Sequence, residues 1–178
     1  MRFTLVDRIV ELQPGVKIVT IKALTMAEEY LADHFPRFPV MPGVLMLEAM
    51  THSSAWLVRA TDQFAHSMVV LKEARNIKYA DFVAPGQLLT VTAEIIKHGP
   101  HDTQLKVQGV MNDRSAVGGR ITLERFNLID RNPLLASSDA LLVTDLRKQF
   151  TVLYQPAAAS SSSDEVCAAG APTSPVEG

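Results

Sequence analysis

The stretch HFPRFPVMPGVLMLEAMTHSSAWLVRAT, residues 34–61, decides how this chain folds. Its first part holds prolines at positions 36, 39 and 42, which exclude a helix and restrict the residues before them to extended backbone. From Gly43 to Thr61 the pattern becomes helical and apolar on nearly all faces, and Pro42 suits the start of such a helix. A helix that is apolar all round is buried on most sides. We therefore predict a stiff loop followed by a central helix that other structure surrounds.

Apolar segments with alternating patterns on both sides of this helix predict β-strands. The predicted strands are 2–12, 16–24, 68–79, 87–97, 103–112 and 115–126. Pro14 and Gly15 form the turn between the first two, and the last two are hairpin-like. Two strands, one buried helix and four more strands are typical of an α+β domain in which an antiparallel sheet wraps one helix.

A short segment before the proline-rich loop carries a weaker helical signal. Residues 25–31 have Thr25 at an N-cap position and Glu28 three residues later, which is the spacing of a capping box. We predict one or two helical turns there.

The C-terminal part of the chain differs in composition from the rest. Residues 138–154 are amphipathic and predict an additional helix, whereas the segment after them is rich in Ala, Ser and Pro and predicts disorder. The predicted organisation is a domain over 1–130, an extension over 131–154 and a disordered tail over 155–178.

The composition is that of an ordinary globular protein, with 47% hydrophobic residues, 20% charged residues and a net charge of -2. Such a chain lacks the basic surface that a nucleic-acid binder needs. The single cysteine, Cys167, excludes an internal disulfide and a multi-thiolate metal site and favours a reducing compartment. We see no apolar run of the roughly 20 residues that span a bilayer, and no signal peptide. We expect a cytoplasmic enzyme or binding domain without a membrane span.

His34 and Glu48 lie on either side of the predicted start of the central helix and are the candidate catalytic pair. Histidine is a neutral base near pH 7. Glu48 lies among Val, Leu and Met, where desolvation favours the protonated form that a general acid needs. The free N–H groups at Gly43 and the next residues, with the helix dipole, can hold a developing oxyanion. Base, acid and oxyanion donor together suit proton abstraction beside a carbonyl.

The same two residues also have structural interpretations, which the spacing alone leaves open. A histidine before a helix is often a loop residue with a structural hydrogen bond. A glutamate in an apolar helix is often a buried ion-pair partner, here of Arg59 or of a lysine on a strand.

The segment from His34 to Ala49 resembles the signature of the 3-hydroxyacyl-(acyl carrier protein) dehydratases of fatty-acid synthesis, which have a hot-dog fold. Their pattern is His-Phe-Pro, two variable residues, Pro, two residues, Pro-Gly, four residues, then Glu or Asp and Ala. The chain matches each fixed position. Residues 5–15 and 83–86 resemble the first strand and turn and the later Val-x-Pro-Gly turn of the family. The resemblance covers residues 2–128.

The resemblance implies that His34 takes the proton from C2 of a (3R)-3-hydroxyacyl thioester and that Glu48 protonates the leaving 3-hydroxyl. It implies that the Gly43 N–H polarises the thioester carbonyl and that the Val40 carbonyl orients the imidazole. The other expected substrate-binding residues are Phe38, Val44 and His52.

The family also implies partners. Its Glu faces the His of the other subunit, so we expect a homodimer or a trimer of dimers. The acyl chain would be linked through phosphopantetheine to an acyl carrier protein. No metal, flavin or nicotinamide is expected, because elimination beside a thioester needs none.

The chain departs from the family pattern around the site. Asp33 and Arg37 stand where Gly is usual; we interpret Arg37 as facing solvent, with a contact to phosphopantetheine or an acidic carrier as the alternative. His52 replaces a usual Gln one turn after Glu48, and we interpret it as a neutral hydrogen-bonding substitute rather than a charged partner. Residues 80–82 replace a stretch that is often basic, so carrier docking can differ.

Two other functions stay open beside dehydration. A hot-dog thioesterase would use a carboxylate and water and would not need the His-Phe-Pro loop. A non-catalytic subunit would bind acyl thioesters through the same residues, with the C-terminal extension as an interaction arm.

Overall fold

The computed structural model describes residues 4–156. The strands are β1 (Arg8–Gln13), β2 (Lys17–Ala23), β3 (Met68–Tyr79), β4 (Leu88–His98), β5 (Asp102–Met111) and β6 (Arg114–Phe126). The helices are α1 (Tyr30–Asp33), α2 (Gly43–Thr61) and α3 (Ala136–Leu153), with 3-10 turns at Leu128–Asp130 and Pro133–Leu135. The strands form one antiparallel sheet of six in the order β1-β2-β4-β5-β6-β3. The predicted α+β architecture, one long helix against an antiparallel sheet, is confirmed.

Helix α2 spans the residues that the sequence predicts. Pro42 precedes its first turn in an extended conformation, and the Pro42 carbonyl accepts the N–H groups of Leu45 at 2.9 Å and Met46 at 3.1 Å. Proline has no N–H to donate, which costs nothing at a helix start because the first N–H groups have no intrahelical acceptor. The helix ends before Gln63 and Phe64, whose φ angles are 53° and 62°.

The core lies between α2 and the sheet, because α2 contacts every strand from β2 to β6. Met50, Leu57 and Val58 of α2 are fully buried. Inside this apolar core the hydroxyls of Ser53 on α2 and Thr20 on β2 share a hydrogen bond of 2.6 Å. The helix is therefore held at a defined position on the sheet, which also positions Gly43 and Glu48 near its N-terminal end.

The predicted first strand begins too early. Within the described residues of the segment 2–12, strand β1 starts only at Arg8. Leu5 and Val6 are each 2% exposed, although successive residues of a strand point to opposite faces, so these two apolar neighbours pack as an irregular segment. The Asp7 carboxylate accepts the Ala23 N–H at 2.7 Å and marks the point at which pairing with β2 begins.

The helix predicted over 25–31 begins later than the sequence suggests. Residues 25–28 form a turn, in which the Glu28 N–H donates to the Thr25 carbonyl, and α1 starts only at Tyr30. No capping box forms, because the Glu28 carboxylate pairs at 2.6 Å with Lys22. Lys22 is 6% exposed. A buried ammonium without a partner costs more free energy than a missing helix cap, so Glu28 pairs with Lys22.

Helix α3 occupies nearly the segment that the sequence predicts as helical, 138–154. Its Phe150 ring lies 5.9 Å from Trp56 of α2, 5.3 Å from Phe64 and 5.6 Å from Tyr154, measured between ring centroids. The extension therefore docks on the C-terminal half of the central helix. Of the predicted tail, 155–178, residues 157–178 and Cys167 with them lie outside the described residues. Across residues 4–156 no helix is long and apolar enough to cross a membrane.

Candidate active site

His34 lies directly after α1, at the start of the proline-rich loop. Its N–H donates to the Tyr30 carbonyl at 2.9 Å, which closes the short helix, and its own backbone is extended. Phe35 then takes a φ of 50°, a left-handed conformation that is uncommon for a bulky residue, and its carbonyl accepts the Phe38 N–H at 2.7 Å. The loop thus turns sharply just after the imidazole, which it presents half-exposed.

A cavity of about 350 Å³ opens beside this imidazole, and we call it the His34 cavity. Most of its wall is apolar or aromatic. The lining residues are His34, Phe35, Val40, Met41, Gly43, Met46, Tyr79, Ala80, Asp81 and Phe82. At its rim the exposed rings of Phe38 and Phe82 meet edge to face at 5.7 Å. The cavity combines the His34 imidazole and the Asp81 carboxylate with a largely apolar wall, and such a wall suits an acyl thioester.

Gly43 brings backbone into this cavity. As the first residue of α2 it carries an N–H without an intrahelical acceptor. A Cβ at this position would lie 3.1 Å from the Tyr79 ring, so glycine lets the ring and the helix start lie this close together without a shift of the ring. A backbone donor therefore lies in a largely apolar wall, where it can hold a negatively charged oxygen.

The other predicted site residues differ in their position relative to this cavity, and Phe38 and Val44 are not among its lining residues. Val40 is buried and lines the cavity; within residues 4–156 no hydrogen bond joins its carbonyl to the His34 ring, so its orienting role stays a prediction. Phe38 and Val44 are 58% and 70% exposed. Arg37 is exposed, as the solvent-facing interpretation expects.

Glu48 lies in a second cavity of about 330 Å³, which we call the Glu48 cleft. The cleft runs along one face of α2 and is bounded by β3, by α3 and by the N-terminal segment. Its lining residues are Thr4, Leu5, Val6, Glu48, Thr51, His52, Ala55, Trp56, Arg59, Val69, Val70, Leu71, Leu146 and Gln149. The side chain of Glu48 is 44% exposed, so one chain alone does not supply the desolvation that the sequence suggests.

His52 is the partner of Glu48. Its Nε2 lies 2.9 Å from Glu48 Oε1, one turn along the helix, and no ion pair joins Glu48 to Arg59 in the described part of the chain. Burial lowers the pKa of His52, and the positive charge of Arg59 lowers it further, against the opposing effect of Glu48. A neutral imidazole at pH 7 follows, which donates a hydrogen bond to the carboxylate. This direction agrees with the interpretation of His52 as a neutral substitute for Gln.

A single chain does not bring His34 and Glu48 together, because each lines a different cavity. Both cavities border β3, at its two ends. Val69, Val70 and Leu71 line the Glu48 cleft, whereas Tyr79 and the adjacent Ala80 line the His34 cavity. In the described sheet β3 pairs with β6 on one side only, which leaves its other edge open for another strand.

For three residues of these cavities the sequence predicts no contact within the site. Tyr79 at the end of β3 packs over Gly43 at the start of α2. Phe82 contacts Phe38 at the rim of the His34 cavity, and Trp56 in the Glu48 cleft contacts Phe150 of α3. Each acts through a contact between elements distant in sequence, so no local spacing could reveal it. A hydrophobic residue at the end of a strand, as Tyr79 is, carries no sequence signal that separates it from core.

Comparison with known proteins identifies the family of this chain. The FabA-like domain family matches residues 1–124. The chain is 34% identical over 119 residues to a 3-hydroxyacyl-(acyl carrier protein) dehydratase FabZ of Ruminiclostridium cellulolyticum, covering 67% of this chain and 84% of that protein. It is 36% identical over 117 residues to the FabZ of Syntrophomonas wolfei, covering 66% and 81%.

Among solved structures, the dehydratase heterocomplex ApeI:P from Xenorhabdus doucetiae is similar with a TM-score of 0.61 at 14% identity, covering 75% of this chain and 90% of that one. This similarity concerns the fold alone, and it confirms the predicted hot-dog architecture. The sequence matches carry the family assignment: the chain belongs to the FabA-like family, that of the 3-hydroxyacyl-(acyl carrier protein) dehydratases.

Proposed function

We propose that this protein dehydrates (3R)-3-hydroxyacyl thioesters to trans-2-enoyl thioesters at a site shared by two copies of the chain. The position of the two cavities at opposite ends of β3 carries this proposal. When two β3 strands pair antiparallel at their open edges, the Tyr79 end of one lies beside the Met68 end of the other. The His34 cavity of each copy then meets the Glu48 cleft of the second copy.

The reaction follows from the groups that meet there. The neutral imidazole of His34 takes a proton from C2 of the substrate, and the electron pair forms the double bond between C2 and C3. The C3–O bond breaks as protonated Glu48 gives its proton to the leaving hydroxyl, which departs as water. His34 ends protonated and Glu48 ionised, so a proton must return from one to the other before the next turnover.

The start of α2 stabilises the charge that develops during this step. As the C2 proton leaves, negative charge moves to the thioester oxygen. The Gly43 N–H and the positive end of the helix dipole lie in the wall of the His34 cavity, where they can hold this oxygen. The contact of a second copy also covers Glu48, which favours its protonated form.

The substrate we propose is an acyl chain on an acyl carrier protein, in fatty-acid or related lipid synthesis. The FabZ relatives carry that substrate in their names, and the apolar wall of the His34 cavity suits an acyl thioester. We propose a homodimer as the active unit. A trimer of dimers and the cytoplasmic location remain predictions from the sequence.

Hydration of a crotonyl thioester, the reverse reaction, tests the proposal through the loss of enoyl absorbance. We expect turnover by the wild type and a decrease of about a hundredfold or more in His34→Ala and Glu48→Gln, the usual size of a general acid–base contribution. The matched controls His101→Ala and Glu29→Gln alter exposed residues outside both cavities and should keep wild-type rates.

The same assay separates the other functions. Release of free thiol without hydration identifies a thioesterase. A folded wild-type protein that binds the thioester but neither hydrates nor hydrolyses it identifies a non-catalytic subunit. Either outcome overturns dehydration as the activity of this chain.

A further inference from the structure

Arg59 is a cation on the same face of α2 as the proposed acid. It follows Glu48 by eleven positions, close to three full turns, so both side chains point into the Glu48 cleft. The two residues are about 16 Å apart along the helix axis at 1.5 Å per residue. The cleft therefore has an acid near one end and a guanidinium near the other.

The environment of Arg59 differs from that of the other buried cations of the fold. Lys22 pairs with Glu28 at 2.6 Å, and Arg125 pairs with Asp62 at 2.8 Å. Within residues 4–156 no carboxylate lies within ion-pair distance of Arg59, and its Nε is buried without a hydrogen-bond partner. Its guanidinium lies 5.4 Å from the centre of the Trp56 ring, which orients it but leaves its charge uncompensated.

This charge persists at neutral pH. Burial lowers the pKa of Arg59 to about 10, so the guanidinium stays protonated. A partly buried charge without a partner costs free energy, and an anionic group that enters the cleft would recover it. The cation is therefore suited to bind a ligand that brings the missing negative charge.

The wall around Arg59 comes partly from the C-terminal extension. Leu146 and Gln149 of α3 line the cleft together with Trp56 and Arg59, and they lie beyond the residues 1–124 that the family match covers. The end of the cleft far from Glu48 is thus built by a segment outside the shared domain. A wall of this kind can adapt the cleft to a particular acyl chain.

We propose that Arg59 binds an anionic group, a carboxylate above all, at the far end of the acyl chain of the substrate. The inference rests on the proposed function, since it places C3 of the chain near Glu48 and lets the rest of the chain run along α2. Arg59 would then be a specificity-determining residue, and the preferred substrate class would be thioesters of chains that end in a carboxylate rather than a methyl group.

Two thioesters of equal chain length test the proposal, a trans-2-enoyl chain ending in a methyl group and one ending in a carboxylate. Both are linked to N-acetylcysteamine, which has no phosphate, so a contact of Arg59 with the phosphate of phosphopantetheine cannot contribute. The readout is the ratio of kcat/KM values for hydration of the carboxylate-ended and methyl-ended chains. A charge-assisted hydrogen bond predicts a decrease of this ratio of about ten- to a hundredfold in Arg59→Met.

Two further variants secure the interpretation. Arg59→Lys keeps the positive charge and should retain part of the preference. Arg120→Met removes an exposed arginine of β6 outside the cleft and should leave the ratio unchanged. An equal loss on both substrates in Arg59→Met overturns the proposal and identifies Arg59 as a structural residue, paired for instance by a second copy of the chain. No change on either substrate also overturns the proposal, because Arg59 then contributes to the turnover of neither.

Binding of saturated analogues separates this inference from the activity itself. Saturated thioesters with the same two ends cannot be hydrated, and calorimetry measures their Kd whether or not the protein is catalytic. Tighter binding of the carboxylate-ended analogue, lost in Arg59→Met, supports the end recognition even if hydration fails. Equal affinities in an enzyme that hydrates crotonyl thioesters reject the end recognition alone.

Discussion

Glu48 and His52 form a pair in which the geometry and the charges act together. The imidazole lies 2.9 Å from the carboxylate, and burial keeps it from taking up a proton as readily as a free histidine would. A protonated His52 would hold Glu48 ionised and weaken it as an acid. A neutral His52 leaves Glu48 free to act as an acid in the proposed reaction. The positive charge of Arg59, on the same face of α2, favours this neutral state of His52.

His52→Gln should make the free energy of unfolding depend less on pH in mildly acidic solution. Because the pKa of folded His52 lies below its ordinary value of 6.5, the unfolded chain takes up this proton first as the pH falls. The wild type should therefore lose stability as the pH drops from 6.5 toward the lowered value, while Gln has nothing to titrate. Urea unfolding at about pH 7.5 and about pH 5.5 measures the difference.

The exposed histidine His101 provides the matched control, and His101→Gln should keep the wild-type pH dependence. His52→Gln should also keep hydration activity with an altered pH profile, since Gln can donate the same hydrogen bond. Loss of all activity, or a pH dependence of stability equal to that of the wild type, would contradict the assignment of His52 as a neutral partner.

Among the secondary-structure elements, the edge strand β3 and the C-terminal helix α3 shape the candidate site. β3 borders both cavities through Leu71 at one and Tyr79 at the other, eight residues apart or about 26 Å at 3.3 Å per residue. An antiparallel pairing of two such strands therefore places the Leu71 end of one near the Tyr79 end of the other. α3 closes the distal part of the Glu48 cleft and docks through several contacts. The Phe150 ring packs on Trp56 and Phe64, and the Asp139 carboxylate accepts the N–H groups of Leu128 and Ile129. In the proposed function the first element brings acid and base together, and the second forms part of the cleft that would receive the acyl chain.

Phe150→Ala should loosen α3 without unfolding the domain. Phe150 is half-buried, and truncation of such a ring costs about 2 kcal/mol, less than for a fully buried phenylalanine. We expect faster amide hydrogen exchange in α3 and little change in α2 or in the sheet. Val152→Ala, on the same helix at 74% exposure, is the control and should leave exchange unchanged; uniform acceleration over the whole chain in Phe150→Ala would show that α3 is part of the cooperative core.

The sequence predicts some elements well for identifiable reasons. α2 is bounded by Pro42 on one side and its apolar pattern fills all faces, so its limits follow from local chemistry. The predictions fail where a long-range contact decides, as at Glu28, which pairs with Lys22 on β2 instead of capping a helix.

The residues of the candidate site also divide into those that local sequence predicts and those that depend on long-range contacts. The motif predicts His34, Gly43 and Glu48, because their chemistry and spacing are local. The contact of Tyr79 with Gly43 and the position of Arg59 in the Glu48 cleft depend on how the sheet and α3 fold back on α2. Such contacts cannot be derived from spacing along the chain.

At the scale of the whole molecule, the proposed catalytic pair is divided between two cavities of one chain. The His34 cavity lacks Glu48, the proposed acid, and the Glu48 cleft lacks His34, the proposed base. An antiparallel pairing at β3 would complete two equivalent sites by one two-fold axis. Catalysis would then depend on assembly, because disruption of the pairing separates acid from base.

Mixing the two inactive variants tests this shared site most directly. His34→Ala and Glu48→Gln subunits are unfolded together, refolded and assayed for crotonyl thioester hydration against each variant refolded alone. In a mixed dimer the His34 of the Glu48→Gln chain meets the Glu48 of the His34→Ala chain, so one of its two sites is intact. We predict recovery of roughly a quarter of wild-type activity, since half of randomly paired dimers are mixed; activity that stays at the level of the separate variants, in refolded dimers, would contradict the account.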